Sequence, residues 1–584
     1  MKLFHRNNED QPRKKHGCLV AIIVCILAYT GMAISFGMLM NGNTVTKLKD
    51  HSVYKINMDG MVVEQGLEDN PFASLMSGMS TMPGMSTQQK VGLDDLIRNI
   101  RLAKEDSHIE GIYLYGANFM IGQASAKALH DALLDFKQSG KWIIAYADSY
   151  SQTNYYICSV ADKIYVNTIG VVDWNGLSAQ KLYFTRAMEK IGVEMQILKV
   201  GTFKSAVEPF FRTSMSEADR QQTECYLTGI WNTILTAVSA NRNIPVELLN
   251  QYADECMSAQ PTRKAVEYHL VDSLVYAQDM DSMLTRLTGT EDWNIVSTTA
   301  MNHVKRTPAT SDNHIAVVYA DGEITDEVGE GIVGKKMLKT IKEISKDDKV
   351  KAVVLRVNSP GGSAYASEQI WHALTMLQQK GLPVVISMGD YAASGGYYIS
   401  CEGDYIFAEP NTLTGSIGVF GTIPNFGKLR ENIGIDIDGV STNLHSDLQT
   451  NMIYKGMNES ERNLMQQSVD EFYDIFTSRC AAGRHLPQDS IKAIGEGRVW
   501  LGTDALRLGL VDELGNIDDA IAKAAELANL QEYQLAYYPE KTDMLISFIE
   551  MLDDSTEEEK LLLKVKDFVS KPRIMALMPM VKIQ

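Results

Sequence analysis

The 584-residue chain has no His-Glu-x-x-His pair, no Cys-x-x-Cys pair and no Cys/His cluster, so the common zinc signatures are missing. Its seven cysteines, Cys18, Cys25, Cys158, Cys225, Cys256, Cys401 and Cys480, are scattered. That spacing fits neither a disulfide framework nor a metal site, and the thiols are expected to behave as small buried hydrophobes. No G-x-x-x-x-G-K-[ST] phosphate loop occurs, which disfavours nucleotide phosphates as ligands. No Lys/Arg-rich stripe offsets the net charge of −18, so nucleic acid is not expected as a partner. Disorder is excluded by a composition that is 45% hydrophobic and 22% charged. The length calls for two or more domains.

Long apolar runs are scarce as well. A single stretch, Cys18 to Met40, passes 23 residues without a charge, enough for a helix across a bilayer core of roughly 30 Å. Lys2, Arg6, Arg13, Lys14 and Lys15 precede it against only Glu9 and Asp10. This bias predicts a cytoplasmic tail over 1–17, an anchor over 18–40, and a body outside the cytoplasm. A cleaved signal peptide would have a shorter apolar core, about 7–15 residues, and a small-residue cleavage site. No convincing site of that kind is found.

Beyond the anchor, strands alternate with helices, as in βαβ units of a mainly parallel sheet. Strands are expected at Val53–Met58, Gly111–Tyr115 and Trp142–Tyr146, with a helix over Ala124–Gln138. The same order then returns. Val353–Leu355 answers Ile112–Leu114 at an offset of 241, Asp390–Ile399 answers Asp148–Ile157 at 242, and Leu510–Leu514 answers Leu270–Leu274 at 240. Asp321-Gly322 answers Asp59-Gly60 at 262, the excess being absorbed by a Met/Ser/Pro/Gly-rich insertion over 71–89. The chain is therefore a tandem duplication. Its copies are expected at 46–300 and 310–535, with a join near 295–312 and a tail over 536–584.

The second copy centres on Met388-Gly-Asp-Tyr-Ala-Ala-Ser394-Gly-Gly-Tyr-Tyr398. An apolar strand, Pro383–Ser387, leads into a lone serine followed by glycine. That arrangement suits a nucleophile at a strand-to-helix turn, and equally a plain turn capped by its serine. The first copy decides between them. Gln152 stands at the position of Ser394, Thr153 at Gly395 and Asn154 at Gly396, so this copy has no nucleophile. It carries instead Lys204, inside Leu198–Phe210, where the second copy has Ser446. Serine in one half and lysine in the other is the pattern of one site shared between them. A serine hydroxyl needs a base, and lysine serves when burial keeps it neutral. The apolar Phe203, Val207, Pro209 and Phe210 offer such a pocket. Lys199 is a competing base, and His445, next to Ser446, is the histidine whose place admits a Ser-His alternative.

A second glycine cluster, Pro360-Gly361-Gly362, follows a predicted strand over Val353–Val357 and precedes a predicted helix over Ala364–Gln379. Its N–H groups, with that of Gly395, could form an oxyanion hole.

Asn358–Gly362, Met388–Gly396, Thr414–Gly418 and Gly201–Phe210 together resemble signal peptide peptidase A in its long, tandem-domain form, over about residues 50–535. The resemblance implies an α/β fold of two Clp-protease/crotonase-like domains after one transmembrane helix. It implies a Ser/Lys endopeptidase, without metal or nucleotide, that degrades cleaved signal peptides and other apolar peptides. The body would lie outside the cytoplasmic (inner) membrane, and four copies would form a homotetramer. Ser394 falls on the family nucleophile, Lys204 on the general base and Ser416 on the serine that orients the lysine. The oxyanion donors fall on Gly395 and on Gly361 or Gly362. Two rivals stand beside this reading: a crotonase-type acyl-CoA enzyme, and a non-catalytic membrane scaffold.

Overall fold

The computed structural model describes residues 46–66, 89–305, 311–329, 331–540 and 573–578. The expected anchor over 18–40 and nearly all of the 71–89 insertion lie outside the described residues. Among the described residues no helix is long and apolar enough to cross a membrane.

Each copy builds a parallel sheet dressed with helices. In the first copy, Ser52–Val63 lies between Lys90–Gly92 and Ile109–Met120, and Trp142–Ala147, Lys163–Val166 and Ser273–Leu274 follow in order. In the second, Val350–Ser359 lies between His314–Asp321 and Val384–Ala393, flanked by Gln534–Tyr538 on one side and Tyr405–Ala408 on the other. Near-continuous apolar strands such as Val350–Ser359 and Val384–Ala393 are buried on both faces, as a helix-covered parallel sheet requires. The duplication extends to detail. The 26-residue helices Glu217–Arg242 and Glu459–Arg484 are offset by 242, and the first three strands and helices of each copy correspond.

Between the copies runs a third, mixed sheet. Its order is Ile332–Val333, Ile324–Thr325, Gly361–Ser363, Arg573–Leu577, Val419–Asn425 and Glu194–Val200. Only Glu194–Val200 comes from the first copy. It pairs antiparallel with Val419–Asn425, from Val200 opposite Val419 to Glu194 opposite Asn425. The strand nearest the C-terminus, Arg573–Leu577, pairs antiparallel with neighbours on both sides.

The motif before Ser394 departs from expectation. The strand does not stop at Ser387 but runs from Val384 to Ala393. Tyr391, Ala392 and Ala393 pair with Leu413, Thr414 and Gly415, and these ladder bonds hold a glycine-bearing stretch extended. Two polar contacts lock the copies together. Asp390 accepts hydrogen bonds from Ala124 N (2.7 Å), Ser125 N (3.1 Å) and Ser125 Oγ (2.6 Å), so a carboxylate of the second copy caps the first copy's helix Gln123–Lys137. Arg356, fully inside the second sheet, donates from Nε to Glu64 Oε2 at 2.8 Å and from Nη1 to Ser387 Oγ at 2.9 Å and Met388 O at 3.0 Å.

Candidate active site

The third sheet brings the two halves of the site together. Glu194–Val200 hands the chain to a tight turn fixed by Phe203 N donating to Glu496 O (2.9 Å), and Lys204 follows. Opposite, Val384–Ala393 ends on Ser394, whose N–H donates to Gly415 O (2.8 Å). Ser394 has φ 56° and ψ −116°, a conformation that costs a non-glycine residue about 1–3 kcal/mol. The single helical turn Gly395–Tyr398 begins immediately after it. Ser416 follows the short strand Leu413–Gly415 and also has a positive φ, 50°, with its N–H on Arg498 O at 2.7 Å.

Lys204 Nζ lies 2.6 Å from Ser394 Oγ, 3.1 Å from Ser416 Oγ and 3.0 Å from Ser416 O. All three residues are 0% exposed. Burial pushes the Lys204 ammonium well below its ordinary value, and among the described residues no carboxylate opposes the shift. The pocket responsible differs in part from the one predicted. Val207 is buried, but much of the wall belongs to the second copy. The Phe420 ring centroid is 6.0 Å from Nζ, and Gly497 packs so closely that a β-carbon there would fall 2.6 Å from Lys204 Cβ. The rival bases sit elsewhere. Lys199 is on the lysine strand with Nζ 5.8 Å from the Phe211 ring centroid, and His445 occupies a half-exposed loop.

The glycine turns meet the same point. A β-carbon on Gly361 (φ 105°) would fall 2.7 Å from Gly395 N, and one on Gly395 would fall 3.1 Å from Gly362 N. Backbone N–H groups of both turns therefore converge beside Ser394, with no room for side chains. Sequence reasoning missed Gly497, Phe420 and Arg498, which shape the lysine pocket. Gly497 and Arg498 lie far from the quoted motifs in the chain, and Phe420, two residues past Thr414–Gly418, reads as one more apolar residue of a strand.

A serine and a neutral lysine in contact, with amide donors alongside, can carry acyl transfer. Comparison with known proteins agrees. The model of peptidase family S49 matches residues 135–290 and again 376–531, an offset of 241 that falls within the 240–242 of the internal repeat. The chain is 38% identical to Protease 4 of Salmonella typhi over 503 residues, covering 84% of this chain and 80% of that protein. Protease 4 of Haemophilus influenzae is 35% identical over 559 residues, 91% of this chain and 89% of the relative. The chloroplastic serine protease SPPA of Arabidopsis thaliana is 29% identical over 452 residues, 75% of this chain and 66% of the relative. With the family matched once in each copy, and relatives aligned along most of the chain, this protein belongs to peptidase family S49 and is a tandem-domain serine peptidase of the Protease 4 type.

Proposed function

We propose that the protein is a membrane-anchored Ser/Lys endopeptidase that degrades cleaved signal peptides and other apolar peptides at the outer face of the cytoplasmic membrane. The observation that carries the proposal is the 2.6 Å contact between Lys204 Nζ and Ser394 Oγ, made between the two copies in a fully buried setting. In this reading neutral Lys204 takes the Ser394 proton as Oγ attacks the peptide carbonyl. The ammonium so formed returns that proton to the leaving amine, and the acyl-enzyme is hydrolysed by a water that the same lysine activates. Ser416 accepts from Lys204 and fixes its direction. The oxyanion is held by the N–H groups of Gly395 and one of the two turn glycines.

The register favours Gly362 over Gly361 as that second donor. Met578 N donates to Pro360 O at 2.7 Å, and hydrogen-bonded pairs recur every second residue of an antiparallel ladder. The pair Gly362–Ala576 is therefore hydrogen-bonded, and its inward N–H belongs to Gly362.

The fold is assigned to the Clp-protease/crotonase group, with the N-terminus cytoplasmic and the span 18–40 as anchor. The net charge of −18 repels anionic headgroups, which leaves that span to hold the body at the membrane. Assembly into a ring of four copies has support in unpartnered surfaces. By the offset of 242, the second copy's counterpart of the lysine strand is 436–442, and the first copy's counterpart of Val419–Asn425 is 177–183. Around these segments Ile433, Ile435, Val440 and Leu444, and Leu182 and Phe184, expose large apolar side chains. Head-to-tail contact between them would repeat between chains the pairing already made within one, as ring symmetry requires.

The test is hydrolysis of an apolar signal-peptide-like substrate by the detergent-solubilised full chain. Ser394→Ala and Lys204→Ala are each expected to abolish turnover while remaining folded. Near-parental activity of Lys204→Ala would overturn the base assignment.

A further inference from the structure

Lys204 sits on a turn that holds itself weakly: Lys204 N reaches Gly201 O only at 3.4 Å. The residues on either side of the lysine are both bonded to one side chain, Gln222, on the helix Glu217–Arg242. Gln222 Nε2 donates to Phe203 O at 3.1 Å and to Ser205 Oγ at 3.0 Å. Its Oε1 accepts from Val499 N, in the second copy, at 3.2 Å. Val499 stands opposite Gly415 where Val499–Leu501 pairs with Leu413–Gly415, and Gly415 O receives the Ser394 N–H at 2.8 Å. One side chain and one ladder pair thus connect the turn of the lysine with the backbone of the serine.

The amide of Gln222 has one way to lie. Asp219, a turn earlier on the helix, accepts from the same Nε2 at 3.1 Å. A carboxylate and a carbonyl only accept, and a peptide N–H only donates, so Nε2 and Oε1 cannot exchange places. Lys181 Nζ bonds both Asp219 oxygens at 2.6 Å and neutralises that carboxylate inside the network. Gln222, Asp219 and Ser205 are all buried, where such bonds are costly to leave unmade. The second copy cannot build this network. By the offset of 242, Gln222 answers to Leu464 and Lys181 to Ile423, neither of which carries a hydrogen-bonding side chain, and Leu464 is exposed. The grip therefore accompanies the lysine and is missing where Ser446 replaces it.

We infer that Gln222 is a positioning residue for the reaction, holding Lys204 Nζ against Ser394 Oγ by tying the lysine turn to the strand Val499–Leu501. The inference rests on the Ser394/Lys204 reading above. Because Gln222 acts through Lys204, its loss falls on kcat and not on KM. A loosened turn also admits water to the lysine, which returns part of the solvation that burial removed and raises the lowered pKa. Charged residues bordering the turn are Asp219 with Lys181, Glu208 with Arg212, Glu496 and Arg498. The variants below leave all of them in place.

The test is hydrolysis of an apolar signal-peptide-like substrate by the detergent-solubilised full chain, with kcat and KM followed across pH and unfolding midpoints measured alongside. Gln222→Met, similar in length but without the amide, is expected to lower kcat about tenfold to 10²-fold, the scale of a misplacement near 1 Å. KM should stay near the parental value, and the acid limb of kcat/KM should move to higher pH. Ser205→Ala, which deletes one acceptor of the amide, should act in the same directions by less, and it carries the test if Gln222→Met does not fold. Asn154→Ala removes a buried amide of the first copy that bonds Phe119. It is expected to lower the midpoint while kcat and the limb stay in place, as they would for Gln222 if its role were merely structural. Parental kcat in the folded variants overturns the inference, as does a loss confined to KM. So does a limb that stays in place, or one that Asn154→Ala moves as far. These outcomes, with Lys204→Ala inactive, leave the Ser394/Lys204 reading standing; near-parental activity of Lys204→Ala overturns both.

Discussion

The two copies share strands, helices and spacing, yet their central turns have opposite characters. In the second copy Ser394 and Ser416 both hold left-handed backbone, and the space between the glycine turns is lined by main chain. In the first copy the same space is filled and relaxed. Gln152, the counterpart of Ser394, begins a regular helix over Gln152–Cys158. Its Oε1 accepts from Asn175 N (3.0 Å) and Gly176 N (2.9 Å), and its Nε2 donates to Gly176 O (3.1 Å). Asn154, the counterpart of Gly396, is bonded to both backbone groups of Phe119, at 3.2 and 3.0 Å. Trp174, the counterpart of Ser416, is fully buried with its indole N–H on Leu249 O at 2.9 Å. Amide and indole side chains have closed one site while strained serines and glycines keep the other open. A copy freed from holding a nucleophile sheds the backbone strain and supplies a lysine to its neighbour.

The most forceful way to break this comparison is to exchange the residues that distinguish the copies. Lys204→Ser places in the first copy what the second has, and it is expected to lower kcat by about 10⁴-fold or more, as removal of a general base from a serine nucleophile does. Ser446→Lys, added to it, should restore nothing. Position 446 lies in an exposed stretch of the second copy, whereas Lys204 is carried by a strand that crosses to Val419–Asn425. Peptide hydrolysis measured on the single and double variants decides it, and any recovery in the double variant would mean that the 436–447 segment reaches a serine.

Next in size is the contact that couples the copies. Glu64 and Arg356 are both buried and lie in different halves. Removing one partner leaves an uncompensated charge, so Glu64→Gln is expected to cost about 3–5 kcal/mol. Denaturant unfolding should show this as a lower midpoint. Glu64→Leu with Arg356→Met should recover part of the loss, but not all, since Ser387 Oγ and Met388 O lose their donor. An unchanged midpoint in Glu64→Gln would mean that the copies hold together without this pair.

Both the duplication and the split site were legible in the sequence, because spacing near 240 survives divergence and because Ser394/Gln152 and Lys204/Ser446 are complementary. The site's setting was not. The lysine pocket depends on Gly497 and Phe420, brought near Lys204 only by cross-copy pairing of strands that local pattern does not reveal. Residues 388–393 read as a turn because glycine and alanine carry little strand propensity, and tertiary pairing with Leu413–Gly415 overrode it. The strand Arg573–Leu577 is short and lies far from Gly361 in the chain, so its partners could not be guessed from its own residues.

The lysine sharpens the comparison further through pH. Protonated Lys204 cannot accept the Ser394 proton, and burial has lowered its pKa. Below that lowered value kcat/KM should rise about tenfold per pH unit, levelling off above it. The sign for stability runs the same way. Between the lowered folded value and the ordinary lysine value the unfolded chain holds the extra proton, so Lys204's penalty on stability is complete at low pH and fades as pH rises. A flat profile from about pH 6 to 9, with chemistry rate-limiting, would count against a lysine base.

The smallest expected effect separates orientation from basicity. Ser416 Oγ, 3.1 Å from Lys204 Nζ, is an acceptor that the first copy has replaced with Trp174. An ammonium donates to such an acceptor more strongly than a neutral amine does, so the hydroxyl favours the charged form. Ser416→Ala should therefore move the acid limb of kcat/KM to lower pH. It should also lower the plateau several-fold, because a lysine held by one bond fewer spends less time aimed at Ser394; the loss of one hydrogen bond, about 1 kcal/mol, sets that scale. Ser416→Thr, which keeps the hydroxyl, should restore the position of the limb if it folds normally. A purely structural role for Ser416 would lower the plateau and leave the limb in place, so the two readouts together decide whether this serine acts through the lysine.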